Sequence, residues 1–172
     1  MIVAVGDAVI RVAPPQMGRS TATDGIDARD PTVPRAVKEL ATALAAYLAG
    51  EAVELATRPE VDCWLAAADI TGFRRDASLA LFDVPRGVTL SYGELAALTG
   101  RPGAARAAGS ACARNPLPLV VPCHRVVHAR ARPGDVGAYG AGTGSSYKRR
   151  LLELEDAPLV RAVGQGAAMP RS

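Results

Sequence analysis

Apolar side chains recur through 36–49 at Val37, Leu40, Ala41, Leu44, Tyr47 and Leu48. That spacing gathers them on one face of an α-helix. Thr32 and Pro34 mark its start, and Gly50 its stop. Ahead of it, residues 1–13 read as two short strands broken by Gly6-Asp7. The stretch from Pro14 to Arg35 is rich in Pro, Gly, Ser, Thr and Asp, which predicts an exposed connection. Residues 51–71 read two ways, with a strand near Val53–Leu55 and a buried segment around Trp64. A boundary falls near Ile70 to Phe73.

Beyond that boundary the pattern is mostly helical. Ala77 to Phe82 forms a helix that stops before the turn Pro85-Arg86-Gly87. Ser91 and Glu94 have the spacing of a capping box, in which each side chain accepts from the other's backbone N–H. Thr99-Gly100 then turns the chain, Pro102 suits a first helical turn, and Gly103 to Ala113 continues as a helix that Asn115-Pro116 ends. Two short helices joined in this way predict a helix-turn-helix. The apolar run Leu117–Val121 leads into Pro122 as a short buried strand meeting a tight turn. A last helix runs from Tyr147 to Glu155, and Val163–Ser172 reads as a tail without fixed structure.

Composition sharpens this picture. Apolar residues make up 49% of the 172 residues but aromatics only 4%, so the core is built from small aliphatic side chains. No apolar run reaches about 18 residues, and Met1-Ile2-Val3-Ala4 lacks a basic leader, which predicts a soluble cytoplasmic protein with no membrane partner. Three cysteines, Cys63, Cys112 and Cys123, are an odd number without C-x-x-C spacing and argue against a disulfide framework. With only His124 and His128 beside them, the four ligands of a zinc site are not assembled locally, and neither metal nor cofactor is expected.

Charge is lopsided. Residues 101–172 hold eleven Lys plus Arg against four Asp plus Glu, whereas residues 1–100 hold nine against thirteen. The C-terminal part is therefore suited to a polyanion, and its cations are nearly all arginine. Its second predicted helix is lined with Ala104, Ala105, Ala107, Ala108, Gly109 and Ala111 around a single charged residue, Arg106. Small side chains let a helix approach a neighbour closely. Some of these alanines pack inside the protein, but an unpaired arginine is costly to bury, which places Arg106 outward.

The chemistry concentrates in Pro122-Cys123-His124-Arg125-Val126-Val127. A thiolate is the nucleophile and a free thiol has a pKa of about 8.5, so Cys123 needs an activator. His124 is the nearest base, and because adjacent side chains seldom touch, a bridging water is the natural proton path. A carboxylate would orient the imidazole, and the sequence alone leaves Glu153 and Glu155 open.

Taken in order, Ser91-Tyr92-Gly93-Glu94-Leu95-Ala96, Ala104-Ala105-Arg106-Ala107, Asn115-Pro116, the Cys123 motif, Gly137-Ala138-Tyr139-Gly140 and Lys148–Glu155 resemble the O6-alkylguanine-DNA alkyltransferase family. The resemblance covers roughly residues 73–156. It implies an α/β protein: a small N-terminal α/β, ribonuclease H-like supporting domain over 1–72, a mostly helical DNA-binding and alkyl-acceptor domain over 73–158, and a tail over 159–172. It also implies a monomer acting once on double-stranded DNA carrying O6-alkylguanine. Cys123 would take the alkyl group from a guanine flipped out of the stack, with His124 and Glu155 as its activating pair. Arg106 would fill the gap in the duplex, on a minor-groove helix whose Ala105, Ala107 and Ser110 face the DNA. Tyr92 would push the nucleotide out and donate to the purine, with Lys148 supporting its hydroxyl. The carbonyls of Cys123 and Val126 would accept the guanine amine, Tyr139 and Gly140 would form a pocket loop, and Asn115 would tie the turn before Cys123 to the helices. Cys112 would face the pocket, leaving room for alkyl groups larger than methyl. Standing alone, Tyr139 reads as core, Asn115 as a turn residue and Lys148 as a solvated helix start. Cys63 reads as a small buried hydrophobe, and His128 as a loop residue.

The sequence also departs from the family pattern. Phe73-Arg74-Arg75-Asp76-Ala77-Ser78 carries arginine and serine where glutamine and tryptophan are usual, and loops 128–136 and 140–147 are about three and two residues longer. These departures raise a rival reading, a non-enzymatic protein that binds the lesion and recruits other repair factors, although such proteins typically lack the cysteine. A Cys-His hydrolase would leave Arg106 unexplained. A major-groove regulator would need more polar side chains for reading bases.

Overall fold

The computed structural model describes residues 2–5, 8–12, 31–129, 136–137 and 144–157. Tyr139, Gly140, most of the two lengthened loops and the tail lie outside the described residues. The fold is mixed but mostly helical, with four short strands among the described residues. Strands β1 (Ile2–Val5) and β2 (Ala8–Val12) pair antiparallel across the break expected at Gly6-Asp7.

Helix α1 (Arg35–Leu48) follows the apolar periodicity, burying Val37, Leu40, Ala41, Leu44 and Tyr47. The ambiguous stretch resolves as open chain over 51–57 and then helix α2 (Arg58–Ala67), so no strand forms at Val53–Leu55. Thr57 and Glu60 cap α2 reciprocally, a local signal that the composition of this stretch had obscured. Cys63 on α2 is exposed, not buried as its small apolar side chain suggests. Helix α3 (Gly72–Phe82) begins five residues earlier than its apolar pattern alone indicates.

Helix α4 (Tyr92–Leu98) carries the expected capping box, with Glu94 accepting from Ser91 N at 2.7 Å and Ser91 Oγ accepting from Glu94 N at 3.2 Å. Helix α5 (Ala105–Ala113) packs against α4 but starts two residues later than expected. Pro102 and Gly103 belong to the connecting turn.

The largest correction concerns the approach to Cys123. Leu117–Val121 is buried but forms no strand: Leu119 has φ +77°, and Val121 N donates back to Leu117 O at 2.8 Å. Pro118 within the run, flanked by Pro116 and Pro122, removes the donors along one edge, which weakens any ladder there. Cys123–Arg125 then makes one 3-10 turn, closed by Arg125 N donating to Pro122 O at 2.9 Å.

Strand β3 (Leu90–Ser91) pairs parallel with β4 (Val126–Val127), which fixes the exit of that turn beside the start of α4. Helix α6 (Gly144–Leu154) closes the described chain, and Glu155 sits in the turn just past its end instead of on the helix. Gly87 helps that turn come close: its φ is +78°, and a Cβ there would stand 3.3 Å from the Glu155 carbonyl. One apolar core runs from Val37, Leu44 and Trp64 through Leu95 and Leu117 to Cys123 and Leu151, continuous across residue 72.

Candidate active site

Cys123 is 8% exposed and opens the 3-10 turn. Its Sγ accepts from Asn115 Nδ2 at 3.2 Å. The same amide donates to Val121 O at 2.7 Å, while Asn115 Oδ1 accepts from Leu117 N at 3.0 Å. Asn115 therefore pins the folded-back run that delivers the thiol. The same amide thus also touches the sulfur directly.

His124 is fully buried, and its Nε2 lies 3.0 Å from Glu155 Oε1. A carboxylate partner makes Nε2 the protonated nitrogen, leaving Nδ1 as the basic one. Nδ1 has no hydrogen-bond partner among the described residues. Burial lowers the imidazole's pKa from its usual range, and the pull of Glu155 only partly offsets this, so the ring is neutral at neutral pH. Burial pushes the Glu155 carboxyl up, but hydrogen bonds from His124 and Arg125 outweigh it and hold the group well below the ordinary carboxylate range. A neutral imidazole beside a fixed carboxylate is arranged to accept a proton. The structure thus selects Glu155 over Glu153, which lies exposed two residues before it.

Two members of this network carry no signature in the sequence. Arg125 grips Glu155 with both arms of its guanidinium, Nε to Oε2 at 2.9 Å and Nη2 to Oε1 at 2.7 Å, and also donates to the Val84 carbonyl. Tyr47 from α1 donates to Glu155 Oε1 at 2.5 Å, with its oxygen 3.4 Å from His124 Nε2. Arg125 stands inside the Cys123 motif, but nothing in the motif names its partner. Tyr47 was visible only as one position of a buried helix face.

Lys148 is 1% exposed, so the solvated reading fails, and its Nζ donates to Val126 O at 2.6 Å. The Cys123 carbonyl accepts from Val126 N within the 3-10 turn. Both carbonyls expected to receive a guanine amine thus already hold one hydrogen bond, and each keeps a second lone pair.

Tyr92, half-buried at the start of α4, lies against α5, where a Cβ on Gly109 would stand 3.8 Å from its ring. The ring also meets His128, an exposed loop residue, with centroids 5.5 Å apart. Burial pushes the Tyr92 hydroxyl up to about 12, which keeps it a donor at neutral pH. Cys112 is half-buried on α5, and burial together with nearby Cys123 pushes its thiol up to about 12. It stays protonated and is no rival nucleophile. Arg106 and Ala107 are exposed on α5, Ala105 and Ser110 are half-buried, and Ala108 and Ala111 pack inward. Among the described residues, no group of three or more His, Cys, Asp or Glu side chains is placed to hold a metal ion.

The chain is similar to known proteins over most of its length. Residues 72–157 match the family described as 6-O-methylguanine DNA methyltransferase, DNA binding domain. The chain is 43% identical to a methylated-DNA–protein-cysteine methyltransferase of Mycobacterium leprae over 120 residues, 70% of this chain and 66% of that protein. It is 38% identical to one from Methanothermobacter thermautotrophicus over 133 residues, 76% of this chain and 67% of that one. The match to the Mycobacterium bovis relative spans 61% of its length, so the chain covers somewhat less than two thirds of several curated relatives. Among solved structures, Mycobacterium tuberculosis OGT in complex with DNA superposes with a TM-score of 0.61 at 31% identity, over 92% of this chain and 88% of that one. A structure of the Mycobacterium tuberculosis O6-methylguanine methyltransferase gives a TM-score of 0.55 at 40% identity, over 73% of this chain and 70% of that one. By sequence match and by fold, the chain belongs to the 6-O-methylguanine DNA methyltransferase family.

Proposed function

We propose that this protein repairs O6-alkylguanine in duplex DNA by direct reversal, as a methylated-DNA–protein-cysteine S-methyltransferase that moves the alkyl group irreversibly to Cys123. The observation that carries this reading is the placement of Cys123 Sγ, 3.2 Å from the Asn115 amide and one residue from a His124 already bound to Glu155. The Cys123 proton passes through one bridging water to His124 Nδ1, and Glu155 stabilises the imidazolium. The thiolate attacks the alkyl carbon in line with O6. The S–C bond forms, the C–O6 bond breaks, and its electron pair stays on the guanine. The proton held by the imidazole then returns to the purine through Tyr92 and water, so charge balances and guanine is restored. With its sulfur alkylated, each molecule acts once.

Helices α4 and α5 serve as the helix-turn-helix. Arg106 enters the gap left by the flipped nucleotide, and Ala105, Ala107 and Ser110 allow close approach to the minor groove. Tyr92 turns the nucleotide out. Cys112, Asn115 and Val126 line the base pocket with Tyr139 and Gly140, and Lys148 steadies the pocket from α6 while supporting the Tyr92 hydroxyl. The exposure of Arg106 on a surface of small side chains supports this assignment. Residues 1–72 form a ribonuclease H-like support, residues 73–158 the acceptor domain and residues 159–172 a tail. The protein works as a monomer in the cytoplasm. Among the described residues no helix is long and apolar enough to cross a membrane. A lesion-binding protein without transfer chemistry is the less favoured reading, because it has no use for a buried thiol beside a His–Glu pair.

Intact mass after incubation with a duplex carrying O6-methylguanine tests the proposal. Wild type should gain one methyl and Cys123→Ala none, while both bind the duplex. Binding with no mass gain in the wild type, for methyl and bulkier adducts alike, would move the assignment to lesion recognition.

A further inference from the structure

The Tyr47 hydroxyl closes a buried triangle that the alkyl-transfer reading does not require. Glu155 Oε1 takes three donors: His124 Nε2 at 3.0 Å, Arg125 Nη2 at 2.7 Å and Tyr47 at 2.5 Å. The phenol oxygen also lies 3.4 Å from His124 Nε2. Tyr47 reaches this point from α1, 77 positions before His124 and 108 before Glu155. Its ring is 3% exposed, with the Arg86 guanidinium 5.5 Å from the ring centroid. Arg86 in turn donates to Glu51 O at 2.8 Å, Gly50 O at 3.1 Å and Leu154 O at 2.6 Å. It therefore ties the end of α1 to the end of α6, the two places from which Tyr47 and Glu155 project.

We propose that Tyr47 is a positioning residue for alkyl transfer, holding the Glu155 carboxylate so that His124 keeps Nδ1 toward Cys123. The proposal rests on the transfer reading above. An arginine fork alone lets a carboxylate rock in the plane of the guanidinium, and a third donor on Oε1 from another direction stops that motion. The same hydrogen bond draws charge from the carboxylate and so limits how strongly Glu155 favours the imidazolium. The other charged groups around the triangle are Arg86 from the turn before β3, Arg125 from the 3-10 turn and Lys148 from α6, all cations. A buried tyrosine also needs an acceptor simply to be satisfied. The two roles separate by pH, because only positioning through Glu155 alters when His124 takes up its proton.

Tyr47→Phe keeps the ring and removes the donor. In single-turnover transfer with an O6-methylguanine duplex, its rate at pH 7 should fall about tenfold, a fraction of what general base catalysis supplies. The acid limb of its pH–rate profile should move to higher pH, with duplex affinity unchanged. Replacing Tyr47 by 3-fluorotyrosine, a stronger donor of nearly the same shape, should move that limb to lower pH and keeps the test open if the phenylalanine variant folds poorly. NMR titration of the His124 ring without DNA should shift in the same two directions. Unmoved titrations in both variants, or a rate loss uniform across pH, would reduce Tyr47 to packing and overturn the proposal. If wild type transfers no methyl while the His124 titration still shifts, the reaction assignment fails and the hold of Tyr47 on the imidazole stands.

Discussion

At the scale of single residues, the site couples stability to pH through two groups that act in the same direction. Burial holds His124 below its ordinary value of 6.5 against the pull of Glu155, with Arg125 and Lys148 adding to the lowering. The unfolded chain therefore binds this proton first, and stability is lost as pH falls below about 6.5. Glu155, held low by His124 and Arg125 despite its burial, contributes stability above its ordinary 4.5 that drains away at more acid pH. Thermal melts should show Tm falling once the pH passes below the histidine range, and His124→Gln should flatten that first part of the decline. A wild-type curve level between pH 7 and 5 would contradict the burial of a neutral imidazole. Asn115 illustrates how far single residues could be read in advance. Asn-Pro marks a turn in any sequence, but that its amide would touch Sγ depends on Leu117–Val121 folding back, which the apolar run did not reveal.

Among the elements, local signals were strongest where the partners sit three or four residues apart. The Ser91–Glu94 box formed as its spacing predicts, with Glu94 bonded to both the backbone and the hydroxyl of Ser91. Because α4 carries Tyr92 in its first turn, this cap also sets where that ring stands. Glu94→Ala should cost roughly 1 kcal/mol, read as a lowered denaturation midpoint with unchanged slope. A change below about 0.3 kcal/mol would mean that packing against α5, not the cap, holds the start of α4. The Leu117–Val121 run failed as a strand for an equally local reason, since Pro118 and the flanking Pro116 and Pro122 remove the donors along one edge. Periodicity of side chains gave no weight to those missing N–H groups.

Across the molecule as a whole, Arg86 joins regions far apart in the chain. Its guanidinium takes the carbonyls of Gly50, Glu51 and Leu154, closing the ends of α1 and α6 over the triangle of Tyr47, His124 and Glu155. Arg86→Ala leaves three backbone acceptors without this donor, and a loss of about 2–3 kcal/mol follows for hydrogen bonds from a charged group. Chemical denaturation should read that loss, and amide exchange should quicken at the ends of α1 and α6 before the rest of the core. Exchange that quickens evenly would argue against a local clamp. The Cys123-His124 pair, the buried face of α1, the capped start of α4 and the small-residue surface of α5 were all legible in the residue order. Each follows from residues within one or two turns, where covalent geometry dictates which side chains share a face. Long-range packing alone chose Glu155 over Glu153 as the partner of His124, buried Lys148, and brought a tyrosine from α1 to complete the network. Those choices depend on which charges can be desolvated together with their partners satisfied, and such partners meet only when the whole core closes.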